Sequence, residues 1–340
     1  MIVVRAPLRI SFVGGGTDLP GFYHRRPGRV ISTAIDKFVY VVVNRTPMID
    51  KVVARYSITE SVDKLEDLKH TRIKAALTHH GIDKGIEISS FASMPAKTGL
   101  GSSSSFSVAL IKALNAFQGK KIDAGEAAEA ASHLEINLVG EPIGKQDQYA
   151  ASFGGFNIIQ FNPDESVDVA PVLIDFKKKL LLQDSLLLFY TSLTRLASSV
   201  LTEQKANIDS KFQTLSEMAD SVPEFAERVA HSDIRGLGAM LHQGWLKKKS
   251  LASNVSNSTI DDLYNSGIDA GAWGGKILGA GGGGCVMFIC PTDKKDQIRE
   301  SVKKVASEKN LEEFREIPIK FIQSGTEILY NGDYFKAPIA

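Results

Sequence analysis

The segment that most constrains this chain is rich in glycine and serine and lies between a predicted strand and a predicted helix. It runs from Pro95 to Ser105 and reads Pro-Ala-Lys-Thr-Gly-Leu-Gly-Ser-Ser-Ser-Ser. A β-like run at 85–91 precedes it, and an apolar helix is predicted over 106–117. The first amides of a helix have no intrahelical acceptor, and the helix dipole adds positive potential there. This end of the helix therefore favours an anion.

The composition of the loop narrows the choice of anion. Glycines let the backbone approach a ligand closely, and serine hydroxyls cap a helix, bind phosphate oxygens or face a metal ion. A simple helix cap needs only one serine, whereas four follow Gly-Leu-Gly here. We therefore predict that the loop binds a nucleoside triphosphate. The predicted contacts are Pro95, Lys97, Gly99, Leu100, Gly101, Ser102, Ser103 and Ser104.

Length and composition set the class of protein. A chain of 340 residues favours two domains, which we place at 1–177 and 178–340. The net charge of +1, without a basic stripe, argues against nucleic acid or an anionic membrane as partner. Cys285 and Cys290 lie at odd separation on one predicted strand and point to opposite faces, so no disulfide is expected. With no signal peptide or membrane-spanning run, we expect a cytoplasmic protein.

Three further segments carry polar residues whose roles the pattern alone leaves open. Asp18 follows a glycine turn at 14–16 and either caps the next segment or accepts hydrogen bonds from a polyol. Glu135, near the end of a helix predicted over 123–138, is either exposed or compensated by a partner such as a metal ion. Asp147, beside Lys145, is either part of a surface ion pair or an acid that takes a proton from a hydroxyl.

A second glycine run, Gly279–Gly284, matches the spacing of a dinucleotide-binding loop. A predicted strand over 285–290 follows it, and no strand–helix–strand unit surrounds it, so a nicotinamide site is not favoured. Bare backbone between two strands instead lets a neighbouring segment pack closely. We predict that this neighbour is the serine loop.

Taken in order, the motifs Ala6–Arg9 with Gly14–Asp18, Pro95–Ser105 and Gly279–Gly284 resemble those of the GHMP superfamily. This group contains galactokinases, homoserine kinases, mevalonate kinases and phosphomevalonate kinases. The Walker pattern of P-loop kinases is absent from the sequence. The resemblance implies an α+β fold of two domains, the first like ribosomal S5 domain 2 and the second ferredoxin-like. ATP and the acceptor would bind in the cleft between them.

The resemblance also assigns roles to individual residues. It implies that Asp147 is the catalytic base, that Arg9 is the cation beside it, and that Asp18 binds acceptor hydroxyls. Ser103 and Glu135 would bind Mg²⁺. The other substrate contacts predicted here are Gly16, Thr17, Lys145, Arg195, Gly281 and Gly282.

Within the superfamily, Gly14–Asp18 and the segment 146–157 are most similar to D-glycero-D-manno-heptose 7-phosphate kinases. These enzymes phosphorylate the anomeric hydroxyl with ATP and supply GDP-heptose for surface polysaccharides. A 7-phosphate needs a cation, for which Lys145 and Arg195 are the candidates, although both also suit a solvated surface. A fucokinase-like sugar 1-kinase and an inactive sugar sensor are the alternative functions. The oligomeric state stays open, with a homodimer as one option.

Overall fold

The computed structural model describes residues 1–194 and 197–332, and the chain there combines two β-sheets with helices. The strands are β1 (Ile2–Val13), β2 (Gly28–Arg45), β3 (Val52–Arg55), β4 (Thr59–Val62), β5 (Ile86–Ala92), β6 (Phe156–Phe161), β7 (Val167–Pro171), β8 (Leu186–Tyr190), β9 (Gly274–Ile277), β10 (Cys285–Ile289), β11 (Arg315–Glu316) and β12 (Glu327–Asn331). The α-helices are α1 (Pro20–Tyr23), α2 (Thr71–His79), α3 (Ser102–Phe117), α4 (Ala124–His133), α5 (Gln146–Phe153), α6 (Phe176–Asp184), α7 (Ala197–Ala206), α8 (Phe212–Ala230), α9 (Ile234–Lys249), α10 (Ser258–Asp269) and α11 (Lys295–Glu308). The predicted α+β class is confirmed.

The first sheet has the order β12-β1-β2-β5-β3-β4, and β6 and β7 extend it from β2. Pro7 predicts an interruption between two strands over 2–13, and this prediction is wrong, because β1 is continuous. The strand continues because the pairing of β1 with β2 shifts register between Pro7 and Leu8. A bulge of this kind accommodates a residue that cannot donate a ladder hydrogen bond. The two strands predicted over 30–35 and 38–44 are likewise one, β2.

The second sheet has the order β11-β8-β10-β9. A single strand was predicted over 180–190, but the structure forms helix α6 over most of the first half and β8 over the second. The Asp175 carboxylate accepts a hydrogen bond from the Lys178 amide at 2.9 Å and so caps α6. The lysines and leucines of this segment are strong helix formers, and the cap adds to that preference.

Two helices differ from the sequence expectation in ways that affect the site. Helix α3 begins at Ser102 rather than at 106, so the serines form its first turn. The helix predicted over 123–138 is α4 followed by a π-helical turn, Leu134–Leu138, which contains Glu135. Asp123 and Glu126, three residues apart at the start of this helix, predict a capping box, and the structure confirms it. π-Helical turns are often found at functional sites, because they change the direction of one side chain.

The helix predicted over 196–218 is divided in the described chain into α7 and α8, and α8 continues through Pro223. Near the end of the described chain, β12 returns to pair with β1 of the first sheet. The domain division at 177/178 stays a prediction. In the described part of the chain, no helix combines the length and apolar composition that crossing a bilayer requires.

Candidate active site

A cavity of about 830 Å³ lies where the two glycine runs, the serine loop and the N-terminal half of α5 meet α9. Many of the predicted site residues line it. They are Arg9, Gly16, Asp18, Lys97, Gly99, Gly101, Ser102, Ser103, Ser104, Asp147 and Gly281. Pro95 and Leu100 do not line it, although the Leu100 carbonyl accepts a hydrogen bond from the Arg9 amide at 3.0 Å.

The serine loop enters α3 through a left-handed glycine. Gly101 precedes the helix with φ +80°, a conformation that residues with a Cβ rarely adopt. Ser102 and Ser103 follow in the first turn and line the cavity, and Ser103 is exposed. Because the first-turn amides have no intrahelical acceptor, this end of α3 presents donors to an anion.

The second glycine run packs against this loop, as predicted. A Cβ on Gly99 would lie 2.4 Å from the Leu278 carbonyl oxygen, and one on Gly279 would lie 2.7 Å from the Gly99 Cα. A Cβ on Gly284 would lie 2.6 Å from the Thr98 carbonyl oxygen. Contacts this close exclude any side chain. The run therefore supports the serine loop, and β10 follows it rather than a helix.

Arg9 and Asp147 form an ion pair on the floor of the cavity. The Arg9 guanidinium donates from Nε to Asp147 Oδ1 at 2.9 Å and from Nη2 to Oδ2 at 2.7 Å. Its Nη1 donates to the Gly99 carbonyl oxygen at 2.7 Å. One buried cation thus connects the carboxylate on α5 to the serine loop. The Asp147 side chain is 25 % exposed, so it stays accessible from the cavity.

Asp18 is buried beside this pair. Its carboxylate accepts hydrogen bonds from the Gly16 amide at 3.3 Å, and from the amide and side chain of Gln146 at 3.2 Å each. Burial, and then the charge of Asp147, raise the pKa of Asp18. Its carboxyl group lies close to Gly144, where a Cβ would approach Oδ2 to 2.1 Å. Asp18 and Asp147 both line the same cavity.

The structure places Thr17, a predicted substrate contact, away from the cavity. This residue is fully buried and does not line the cavity. Its hydroxyl contacts the carbonyl oxygens of Gly14 and Arg29 at 2.8 and 2.9 Å and accepts a hydrogen bond from the Arg29 amide. The Thr17 hydroxyl thus stabilises the turn that positions Asp18, and its hydrogen is not available to a substrate.

Two other predicted substrate contacts do not line the cavity, and a third lies outside the described residues. Lys145 does not line the cavity, because it pairs with Glu129 at 3.3 Å and Glu165 at 3.0 Å. Gly282 does not line it either, and its amide donates to the Val255 carbonyl at 2.8 Å. Arg195 lies outside the described residues.

Glu135 is fully buried and saturated with donors. The hydroxyls of Ser104 and Ser107 donate to it at 2.8 and 2.9 Å, Arg72 Nε donates at 3.0 Å, and the Gln148 side chain also donates to it. Burial raises the pKa of Glu135, and the Arg72 charge and the serine hydroxyls oppose this shift. Ser104 rather than Ser103 is thus the serine in contact with this acid.

The oxygen ligands present around Glu135 suit Mg²⁺, which binds one or two carboxylates together with phosphate oxygens. Serine hydroxyls and the Glu135 carboxylate are such hard oxygen ligands. Ser103 and Ser104 line the cavity, whereas Glu135 is buried in contact with Ser104 and does not line it. Positive charge is already supplied there by Arg72, which pairs with both Glu135 and Glu141. Binding of Mg²⁺ by Ser103 and Glu135 therefore stays a prediction, and it requires the Arg72 contact to loosen.

Comparison with known proteins shows the family to which this chain belongs. Residues 68–155 match the GHMP kinases N terminal domain, and residues 222–308 match the GHMP kinases C terminal domain. The chain belongs to the GHMP kinases. It is therefore an ATP-dependent phosphotransferase that acts on an alcohol group, and the serine loop and second glycine run are parts of this kinase fold.

Individual relatives of this GHMP kinase cover most of its length. It is 27 % identical over 319 residues to D-glycero-alpha-D-manno-heptose 7-phosphate kinase of Campylobacter jejuni, covering 89 % of this chain and 93 % of that protein. It is 25 % identical over 350 residues to L-fucokinase/L-fucose-1-P guanylyltransferase of Bacteroides fragilis, covering 89 % of this chain and 36 % of that protein. The fold is similar to a D-glycero-D-manno-heptose 1-phosphate kinase from Bacteroides thetaiotaomicron, with TM-score 0.79, 22 % identity and coverage of 97 % and 99 %.

The site of this GHMP kinase also contains three cations that the sequence analysis missed. Lys248 on α9, Lys276 on β9 and Arg72 on α2 all line the cavity. A signal existed for Lys248, because it follows Leu241 and Trp245 at helical spacing on the buried face of α9. No such signal marked Arg72 or Lys276, whose places depend on contacts with distant segments.

Proposed function

We propose that this ATP-dependent sugar kinase transfers the γ-phosphoryl group of ATP to the anomeric C1 hydroxyl of D-glycero-D-manno-heptose 7-phosphate. The product would be the 1,7-bisphosphate, used in the cytoplasm for GDP-heptose and surface polysaccharide synthesis. The observation that carries the proposal is the Arg9–Asp147 pair, because its guanidinium also donates to the phosphate loop at Gly99. The similarity over most of both chains to the heptose 7-phosphate kinase of C. jejuni supports the choice of acceptor.

The proposed reaction uses Asp147 at the acceptor side. Asp147 accepts the proton of the C1 hydroxyl as the bond from that oxygen to the γ-phosphorus forms. The bond from the γ-phosphorus to the β–γ bridging oxygen breaks, and ADP leaves with its electron pair. Both Asp147 oxygens accept from Arg9 but retain a further lone pair, so the carboxylate remains able to take the proton.

The phosphate side uses the serine loop and the charges around it. Amides at the start of α3 bind the phosphates of ATP, and Ser102 and Ser103 add hydroxyl donors from the cavity wall. Mg²⁺, when bound, neutralises charge on the phosphates. Ser103 and Glu135 are the residues that would hold it. Arg72 lies between Glu135 and Glu141 and keeps that wall from carrying two uncompensated carboxylates.

The sugar is fixed by the turn that carries Asp18. Its buried carboxylate binds hydroxyls of the acceptor, with Gly16 leaving room for the sugar ring. Lys145 is not available for the 7-phosphate because it is paired with two glutamates outside the cavity. Among the described residues, the cations that line the cavity are Arg9, Arg72, Lys97, Lys248 and Lys276.

The test is an ADP-release assay with ATP and Mg²⁺ over D-glycero-D-manno-heptose 7-phosphate, L-fucose, galactose, mevalonate and homoserine. We expect turnover on the heptose phosphate, with ³¹P NMR showing a new phosphate ester at C1. The similarity to the B. fragilis fucokinase makes L-fucose the second candidate acceptor. Preference for L-fucose would retain the sugar 1-kinase reaction but discard the heptose, and no turnover on any acceptor would favour a sugar sensor.

A further inference from the structure

Three consecutive lysines, Lys247 to Lys249, close helix α9, and the middle one differs from its neighbours. Lys247 pairs with Glu217 at 2.7 Å and Lys249 pairs with Asp261 at 2.7 Å, both partly exposed. Lys248 points the other way because consecutive helix residues differ by about 100° in direction. It is only 6 % exposed and lines the cavity.

The Lys248 ammonium group has no carboxylate partner within the described residues. Its Nζ donates to the Gly279 carbonyl oxygen, and an ammonium group has three donors. Burying an unpaired cation costs free energy unless another charge compensates for it. The structure therefore retains a buried cation for which it provides no complete set of partners.

The position of Lys248 shows where a compensating anion would lie. Gly279, which Lys248 contacts, packs against Gly99 of the phosphate loop. The charged groups that act on Lys248 are Arg9, Asp147 and Asp18, and it acts in turn on Lys276. Lys248 thus lies between the loop that binds ATP phosphates and the two acids at the acceptor side.

We propose that protonated Lys248 is a catalytic residue that contacts the peripheral oxygens of the γ-phosphoryl group while it is being transferred. This inference rests on the proposed kinase reaction and adds a residue from the second sheet's side of the cleft. As the bond to the β–γ bridging oxygen breaks and the bond to the acceptor oxygen forms, Lys248 offsets negative charge on the phosphoryl oxygens. The acceptor proton still goes to Asp147, so Lys248 neither gains nor loses a proton in the step.

The ionisation of Lys248 supplies a second, independent signature. Burial and then the charge of Arg9 lower the pKa of Lys248 to about 8, whereas Asp147 and Asp18 oppose this shift. Lys276 is adjacent, and burial together with the charges of Lys248 and Arg9 holds its pKa well below the ordinary value. Because the proposal needs the protonated form of Lys248, and because kcat/KM reports ionisations of the free enzyme, kcat/KM should fall as the pH rises through about 8.

The experiment compares Lys248→Met and Lys248→Arg with two matched controls, Lys247→Met and Lys249→Met. ADP release is measured with ATP, Mg²⁺ and the acceptor that the native protein prefers, from pH 6 to pH 10. We expect Lys248→Met to lower kcat by roughly 10²–10³-fold, the scale for removal of one donor to transition-state charge, with smaller changes in KM. The two controls should stay within about 2-fold, since exposed ion pairs contribute little.

Lys248→Arg separates the role of charge from a packing role. It keeps the positive charge above pH 8, so it should retain more activity than Lys248→Met and should lose the alkaline fall in kcat/KM. If Lys248→Met fails to fold, as judged by its thermal unfolding, the pH profile of Lys248→Arg alone decides. An alkaline fall that persists in Lys248→Arg overturns the proposal.

Failure of this inference and failure of the proposed function are distinguishable. Native protein that turns over no acceptor contradicts the proposed function. Native protein that turns over an acceptor, together with Lys248→Met of unchanged kcat, contradicts only the role of Lys248. A variant in which only the KM for ATP rises would likewise overturn it, because that result places Lys248 on the bound nucleotide rather than on the transferred group.

Discussion

The Arg9 guanidinium holds the Asp147 carboxylate by two hydrogen bonds of 2.9 and 2.7 Å. The remaining terminal nitrogen of the same guanidinium donates to the Gly99 carbonyl oxygen at 2.7 Å. A planar group with donors in a fixed fork can make all three bonds at once. One planar guanidinium group therefore fixes the proposed base relative to the serine loop.

Removal of the Asp147 carboxylate tests its role as base. We expect Asp147→Ala to lower kcat by about 10²–10⁴-fold, the usual range for a positioned acid or base. Asp83→Ala, which removes an exposed acid far from the cavity lining, should leave kcat unchanged. Equal kcat in Asp147→Ala and native protein in the ADP-release assay would remove Asp147 from the mechanism.

Replacement of Arg9 by lysine tests the value of the fork. Arg9→Lys keeps the charge but cannot make two bonds to Asp147 and one to Gly99, so we expect kcat to fall by about 10-fold or more. Arg5 provides the matched control on the same strand, since it donates two hydrogen bonds to Glu327 away from the cavity. A kcat for Arg9→Lys as high as that of Arg5→Lys would show that charge alone is sufficient.

Glu135→Gln tests the predicted Mg²⁺ site. The substitution keeps the shape of the side chain but removes the carboxylate charge, so a metal ligand becomes a neutral group. We expect the Mg²⁺ concentration for half-maximal activity to rise by about 10-fold or more, measured by titration of MgCl₂ at fixed ATP. The exposed Glu300→Gln serves as control. An unchanged titration would indicate that Arg72 supplies the charge at this acid and that Mg²⁺ binds elsewhere.

Gly99→Ala tests the packing of the second glycine run on the phosphate loop. A Cβ at Gly99 would approach the Leu278 carbonyl oxygen to 2.4 Å, in addition to the cost of a φ of +76°. Gly119 has the same φ with no heavy atom within 4 Å of its Cβ position, so Gly119→Ala isolates the backbone term. We expect Gly99→Ala to lower the free energy of unfolding by about 1–3 kcal/mol more than Gly119→Ala.

The outcome of that comparison is read from chemical denaturation curves of the two variants. Gly99→Ala should also weaken ATP binding, because relief of the contact moves the loop. Identical unfolding free energies would mean that the two glycine segments are not in the close contact described here.

The sequence predicted those features of the site that depend on local chemistry. The serine loop at the start of α3, the glycine run in front of β10 and the capping box of α4 each follow from residues adjacent in the chain. The contact between the serine loop and the glycine run was also predictable. Six residues with five glycines leave bare backbone, which a neighbouring segment must cover.

Other features required the tertiary structure. Thr17 is a substrate contact by motif, but its hydroxyl is used by the carbonyl of Arg29 on a neighbouring strand. Lys145 lies two residues before Asp147 in the sequence, yet its side chain pairs with Glu129 and Glu165 and does not face the cavity. The strand predicted over 180–184 is wrong for a local reason. The segment is apolar, but its leucines are strong helix formers, and the cap at Asp175 starts a helix before them.

Lys248 combines one feature that the sequence predicts with another that only the tertiary structure shows. Its place on the buried face of α9 follows from the spacing to Trp245, but its proximity to Gly279 and Asp147 does not. A lysine on an apolar helix face therefore indicates a buried cation, and only the fold shows which ligand it meets.

The most direct test of the account is the rate of ADP release with ATP, Mg²⁺ and D-glycero-D-manno-heptose 7-phosphate, with the product identified by ³¹P NMR. We expect turnover well above that with galactose, L-fucose, mevalonate or homoserine, together with a new anomeric phosphate signal that Asp147→Ala does not produce. Turnover on another acceptor but not on the heptose phosphate, or a new phosphate at a position other than C1, would contradict the proposed function.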